Sequence, residues 1–474
     1  KGANSVAGNT VLGQEALDAA VTGGNNTSIG YRSLTANTSG ASNTAVGDYA
    51  LGVNTTGSTN TAVGRYSLLN NSTASNNTAV GNAALQENTT GTQNVAVGAN
   101  ALDANTTGER NTALGYNSLS SNTTASSNTA VGRNTLFTNT TVENNTGVGK
   151  ASLYDNSTGA NNTGIGYEAL ANNTTAYENV GVGYKALEDN TTGVVNTAIG
   201  SNTLANNTTG GLNNAFGREA LKYNTTGSNN VAIGNEALKL TVDGSDSIAI
   251  GKDALSVGTS LTQQLAIGNS AGKNTTGSDN VFIGHECGTT NTSGNANTVI
   301  GHRAFFYNTS GGANTAVGLA SLKQNTTGQN NVAVGTYALD ANTTGANNTS
   351  VGYASLSTNT TGQRLTAFGV GSLYNNTTAN DNTSIGYEAL YDNTTGERNT
   401  ALGDNCLANN TTADNNTAVG HEALKENTTG SQNTAIGLDA LTANTTGQDN
   451  TGVGRKALDA NTTGGFNIGV GGHA

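Results

Sequence analysis

Residues 47–63 read Gly-Asp-Tyr-Ala-Leu-Gly-Val-Asn-Thr-Thr-Gly-Ser-Thr-Asn-Thr-Ala-Val, and Gly64 then begins the same phrase again. With that glycine as position one, it recurs every seventeenth residue from Gly13 to Gly471, slipping by one residue between Gly268 and Gly284. Four residues after it stands a leucine in almost every repeat: Leu51, Leu68, Leu85, Leu102. A fixed short period over a whole chain is the mark of a solenoid, with one coil of backbone per repeat and each coil stacked on its neighbours. The expected fold is all-β: a parallel β-solenoid of 17-residue coils, about 28 of them in one continuous stack over residues 1–474. Residues 240–307 form its irregular part. There the Asn-Thr-Thr-Gly turn is lost twice, the leucine is missing after Gly268 and Gly284, and Phe282, Phe305 and Phe306 enter.

Composition narrows the function classes. Only 34% of residues are hydrophobic, 65 are glycine, and Pro, Met and Trp are absent. Without periodicity this would read as a disordered chain; apolar residues held at fixed coil positions build a narrow continuous core instead. The absence of Met points to a processed chain or a segment. There is no apolar run of about 20 residues and no charged-then-apolar leader, so membrane insertion by this segment is not expected. A thinly spread net charge of −12 argues against nucleic acid as a partner.

Within a coil, position seventeen is always large and apolar (Val46, Val63, Val80, Ile165, Phe216, Ile283, Phe368). Position fifteen is usually Thr, replaced by Val95, Val180, Val231, Ile248, Leu265 or Ile468. Two residues apart on a strand, these share a face, which is read as the interior. Position sixteen, almost always Ala, Gly or Ser, then faces outward, and its small size predicts close approach of another backbone. The two large anchors of each coil, the position-seventeen residue and the position-five leucine, contribute roughly 1.5–3 kcal/mol each on burial. Ordering each of seventeen residues costs roughly 1–2 kcal/mol. A lone coil is therefore marginal, and a homo-oligomer packed along position sixteen is expected.

Short strands are predicted at positions three to six and fourteen to seventeen. The Asn-Thr-Thr-Gly segments (Asn54 to Gly57, Asn88 to Gly91, Asn224 to Gly227) supply residues that tolerate left-handed dihedrals and bond their own backbone. Asparagines stacked about 4.8 Å apart can form amide ladders. At that rise the stack would be a rod of roughly 130 Å.

The strings Asn-Thr-Ala-Val-Gly at 43–47, Asn-Val-Ala-Val-Gly at 94–98 and Asn-Thr-Ala-Ile-Gly at 433–437, with the related Asn-Thr-Val-Leu-Gly at 9–13, resemble the Asn-Ser-Val-Ala-Ile-Gly repeat of YadA-like heads in trimeric autotransporter adhesins. Similar segments occur in phage tail-fibre proteins. The resemblance covers essentially the whole chain. It implies a left-handed β-roll, a homotrimer and a role in surface attachment through a receptor or glycan. The coil here is longer, by the inserted Asn-Thr-Thr-Gly turn, and no neck, coiled-coil stalk or membrane anchor is recognisable.

Few residues stand out from the repeat. Cys287 and Cys406 share position four, a column of small residues, and lie seven coils apart, too far for a disulfide in a regular stack. They are expected to be small buried residues. His285 and His302 share position two on adjacent coils and are the candidate surface site, able to ligate a metal or respond to pH, although spacing supplies no third ligand. The Asn-Thr-Thr triplets are also N-glycosylation sequons, with Asn54, Asn88, Asn105, Asn190 and Asn224 as candidate acceptors. Acidic residues fall at variable positions among Lys, Arg and Tyr, and neither a carboxylate pair nor a triad emerges. No enzyme, cofactor or metal is expected. The expected function is an extracellular structural or adhesive fibre on a cell or virion surface, the head or shaft of an adhesin. The alternatives are a phage tail-fibre shaft and an ice-binding solenoid. The chain stops within a coil at Ala474, and an open edge predicts end-to-end filament growth.

Overall fold

The computed structural model describes residues 6–474. It is a parallel β-solenoid of 17-residue coils, with 28 three-residue strands and no helix among the described residues. Two compact units make it up, Lys1–Gly244 and Ser245–Ala474. The first unit runs from β1 (Thr10–Leu12) to β14 (Val231–Ile233), and the second from β15 (Ile248–Ile250) to β28 (Ile468–Val470). Each coil contributes one strand, at positions fifteen to seventeen. Within a unit every strand pairs in parallel with the next, like upon like: Thr61 with Thr78, Ala62 with Ala79, Val63 with Val80.

The interior is the reverse of the sequence expectation. In strand after strand the middle residue is buried and its neighbours are not: Ala45, Ala62, Ala79 and Ala96 have no exposed surface. Position seventeen points out, with Ile165 39% and Phe368 55% exposed, and position fifteen points out beside it, with Val95 39% and Ile248 39% exposed. Val46, Val63, Val80, Phe216, Ile283, Val180, Val231, Leu265 and Ile468 all lie on this outer face. Position sixteen is small because the coil is narrow. Its side chain shares the lumen with the fully buried position-five leucine and position-four alanine of the opposite wall, and close packing leaves no volume for more. The expected contact of partner chains with position sixteen is therefore overturned.

The second expected strand is also absent. Positions one, three and five have positive φ in nearly every coil, as in Gly47 (144°), Tyr49 (57°) and Leu51 (51°). Left-handed φ on alternate residues winds the wall into turns, yet alternate amides still donate to the coils on either side: Tyr49 N to Tyr31 O at 2.9 Å, Leu51 N to Ser67 O at 3.0 Å. A left-handed non-glycine residue costs roughly 1–2 kcal/mol, which complete burial of Leu51 offsets. At position one only glycine fits. A Cβ on Gly47 would stand 2.4 Å from the carbonyl oxygen of Gly64.

The Asn-Thr-Thr-Gly turn holds its place by hydrogen bonding rather than by left-handed dihedrals, since the positive-φ residue nearby is position thirteen, Thr59. Asn54 Nδ2 donates to Asn37 Oδ1 at 2.9 Å and to Gly57 O at 3.0 Å. The column continues through Asn71, Asn88 and Asn105 and is fully buried. The second asparagine column, at position fourteen, works differently. Asn60 Oδ1 accepts the backbone N–H of Asn77, while Asn60 Nδ2 reaches Ala74 O at 2.8 Å.

The irregular stretch contains a compensated exchange of volume. Phe282 occupies position sixteen, points inward and is fully buried. The two position-five sites beside it are Gly272 and Gly288, where a Cβ would meet the Phe282 ring at 2.6 and 2.2 Å. Two leucines have been given up for one phenylalanine. The one-residue slip leaves the strands aligned, Leu265 with Val281 and Ala266 with Phe282. It is taken up in the turn, where Thr275 stands where asparagine stands elsewhere and accepts from Asn291 Nδ2 at 2.6 Å.

Candidate functional site

Since like positions stack, any outward side chain repeated on adjacent coils becomes a row. His285 and His302 follow Gly284 and Gly301 directly, and the structure brings their rings together, centroids 5.3 Å apart and 25° from parallel. Glu286 supplies the third group that spacing did not. One ligand atom from each of His285, Glu286 and His302 lies within 4.8 Å of the others. Both imidazoles are exposed and the carboxylate is half-buried. Arg303, below Glu286 in its column, donates Nε–H to Glu286 Oε2 at 2.6 Å and holds that carboxyl below the usual range. The guanidinium also lies 5.6 Å from the Phe306 ring centroid. His421, alone at position two of its coil, is joined by Glu422 and Asp439 in a second grouping of the same reach.

A second feature was not foreseen. Gly52 takes position six where Leu69 and Gln86 stand in the following coils, and the missing side chain opens a cleft of ≈ 610 Å³. Glu15, Arg32, Tyr49, Tyr66 and Leu69 line it with Gly52. The Arg32 guanidinium pairs with Glu15 and donates to Tyr49 Oη at 3.1 Å; the Tyr49 and Tyr66 centroids are 5.8 Å apart. Position six varies in the sequence, so nothing but the size of its neighbours signals a gap.

The remaining candidates are interior. Cys287 and Cys406 are buried and free, and desolvation pushes both thiols up to about 12. The sequon asparagines Asn54, Asn88, Asn105, Asn190 and Asn224 have no exposed surface. Their Nδ2 groups donate to the preceding ladder asparagine and to their own turn. A sugar on such a nitrogen would displace a ladder bond and enter the lumen.

Position six also carries a strained acid. Asp103 is half-buried, its Oδ1 has no partner, and desolvation raises its pKa to about 6. By contrast, Glu219 is held down to about 2, chiefly by Lys239 Nζ at 2.8 Å, with Lys222 Nζ at 3.3 Å assisting. No helix among the described residues is long and apolar enough to cross a membrane. When the sequence is compared with known proteins, no family model and no curated protein matches it.

Proposed function

We propose that this chain is an extracellular fibrous protein of structural and adhesive type, the shaft or head of a surface adhesin or tail fibre, which associates with copies of itself as a trimer. The supporting observation is the outer face of the strands. Each coil places one Val, Ile, Leu or Phe on it at position seventeen, half-buried or exposed, beside a Thr or aliphatic at position fifteen in every strand but β13, which has Asn214. Isolated apolar residues on a surface are ordinary; a column repeated on every coil is not, and long apolar patches mark association sites. A second copy is the natural occupant, since its own column has the same spacing and can match rung for rung. In a closed trimer the contact repeats around a three-fold axis, and parallel chains that each turn this face toward the axis meet rung for rung. The Tyr49–Tyr66 cleft, with ring faces beside Arg32 and Glu15, is then the place to receive a sugar or another polar ligand with an apolar face. Electron microscopy of the purified chain tests the reading: multi-chain rods of uniform width support it, and single-chain particles at every concentration overturn it.

The same face favours one other reading. Threonine opens 19 of the 28 strands, and those threonines lie on the strand face rather than in the turn, a placement suited to ordering water at an ice surface. The column is interrupted at β13 to β17 by Asn214, Val231, Ile248, Leu265 and Val281, which favours self-association. Thermal hysteresis in the purified protein would reverse that preference.

A further inference from the structure

Among the side-chain clusters of the described residues outside the outer strand face, one combines two imidazoles and a carboxylate with the reach and exposure of a metal site, and we propose that His285, Glu286 and His302 bind a divalent transition-metal ion of the zinc class. Two imidazoles and one carboxylate are a donor set that zinc accepts, with bonds of about 2.0–2.2 Å and a tetrahedral arrangement. Ligand atoms in such a site stand about 3.4 Å apart. Those of the three residues already lie within 4.8 Å, so rotation of exposed side chains closes the remainder.

The stacking itself argues for an occupant. The two rings come from a register that the backbone enforces, His302 one coil on from His285, so bringing the donors together costs little further ordering. Position two of the preceding and following coils is Asn269 and Leu319, and position three is Ser270 and Ala320; neither adjacent coil places a cation in these columns. The one cation present, Arg303, engages Oε2 of Glu286. A carboxylate has two oxygens, so this ion pair orients the group and keeps it ionised while leaving an oxygen for the metal. Outer partners of this kind tune ligands in known sites. Three protein donors leave a fourth position for water or an external ligand.

The second grouping is an internal contrast. His421, Glu422 and Asp439 offer one imidazole where the proposed site offers two. By ligand softness it is the poorer site for zinc.

Isothermal titration of the full chain with zinc chloride tests the assignment. One zinc per chain is expected, with His285→Ala and His302→Ala each weakening binding at least tenfold and His421→Ala leaving it unchanged. Cu²⁺ bound at the same site should show coupling to two imidazole nitrogens in electron paramagnetic resonance. Far-ultraviolet dichroism should be unchanged in these variants, since both rings are exposed. Absence of zinc binding at millimolar concentration overturns the proposal, as does an affinity that falls less than tenfold in the H285A/H302A double variant. The site lies within one chain, so its outcome is independent of whether the outer face binds a second copy.

Discussion

The Phe282 exchange predicts strong coupling between positions that a sequence alignment of coils would treat separately. Phe282→Ala removes a fully buried ring from between two glycines, and such truncations cost about 3–5 kcal/mol. Gly288→Leu restores the usual residue of its column, but its Cβ would stand 2.2 Å from the Phe282 ring. Overpacking of that kind costs about 1–3 kcal/mol or more. The backbone at Gly288 has φ 56°, close to Leu51 at 51°, so the backbone admits leucine there as it does elsewhere in the column. Combining F282A with G288L restores Ala at position sixteen and Leu at position five of the following coil, and leaves Gly272 as the one site without its leucine. The two losses should partly cancel, the space beside Gly272 staying empty, giving a coupling of about 3 kcal/mol, at the top of the range for contacting pairs. The Gly288 amide, which donates to Ala304 O at 3.0 Å, reports this locally by native-state hydrogen exchange. Each single variant should speed its exchange, and 3 kcal/mol of recovery corresponds to about 150-fold slower exchange in the double variant than additivity gives. Effects that add to within about 0.5 kcal/mol would refute the proposed sharing of volume.

Three further outcomes follow from single contacts. Asp103→Asn should raise stability at neutral pH by about 1 kcal/mol, the shift being discounted for the solvent that still screens this half-buried group, because the folded state raises this acid to about 6. The wild-type protein is relieved when the group is protonated, so the advantage should fade as pH drops through 6 and vanish below about 4. Glu219→Gln has the opposite sign. A carboxyl held down to about 2 by Lys239 and Lys222 stabilises above its ordinary range, so the loss should be present at pH 7 and disappear as pH falls toward 2 in parallel melts. Thr241→Asn should stabilise by about 1 kcal/mol, since Asn224 Oδ1 ends its ladder without a donor where threonine replaces the next asparagine; urea midpoints compare the two, and an unchanged midpoint counts against the ladder.

Much of the architecture could be read from residues 47–63 because period and register are properties of spacing alone. The asparagine ladder and the histidine pair were legible for the same reason: identical residues seventeen apart must stack. Inside and outside were not legible. Thr alternating with Val at position fifteen suits a half-exposed sheet face as well as a core, and alanine at position sixteen suits a narrow lumen as well as a backbone contact. Lumen width decides between them, and width depends on where Leu51 points. That in turn rests on left-handed turns at Tyr49 and Leu51, which apolar spacing does not encode. Glu286 was missed as a partner of the histidines because it stands at position three, and its reach to position two is set by side-chain geometry. The Gly52 cleft was hidden for a similar reason, as an absence at a variable position.

The outward-facing columns at positions fifteen and seventeen carry the functional reading, and the mass of the native particle tests them most directly. Multi-angle light scattering should give about 142 kDa, three chains of 47.3 kDa, and the V63D/V80D/V97D variant, charged on the outer face of three adjacent coils, should shift it toward the monomer. A wild-type particle of 47.3 kDa at all concentrations would contradict the account.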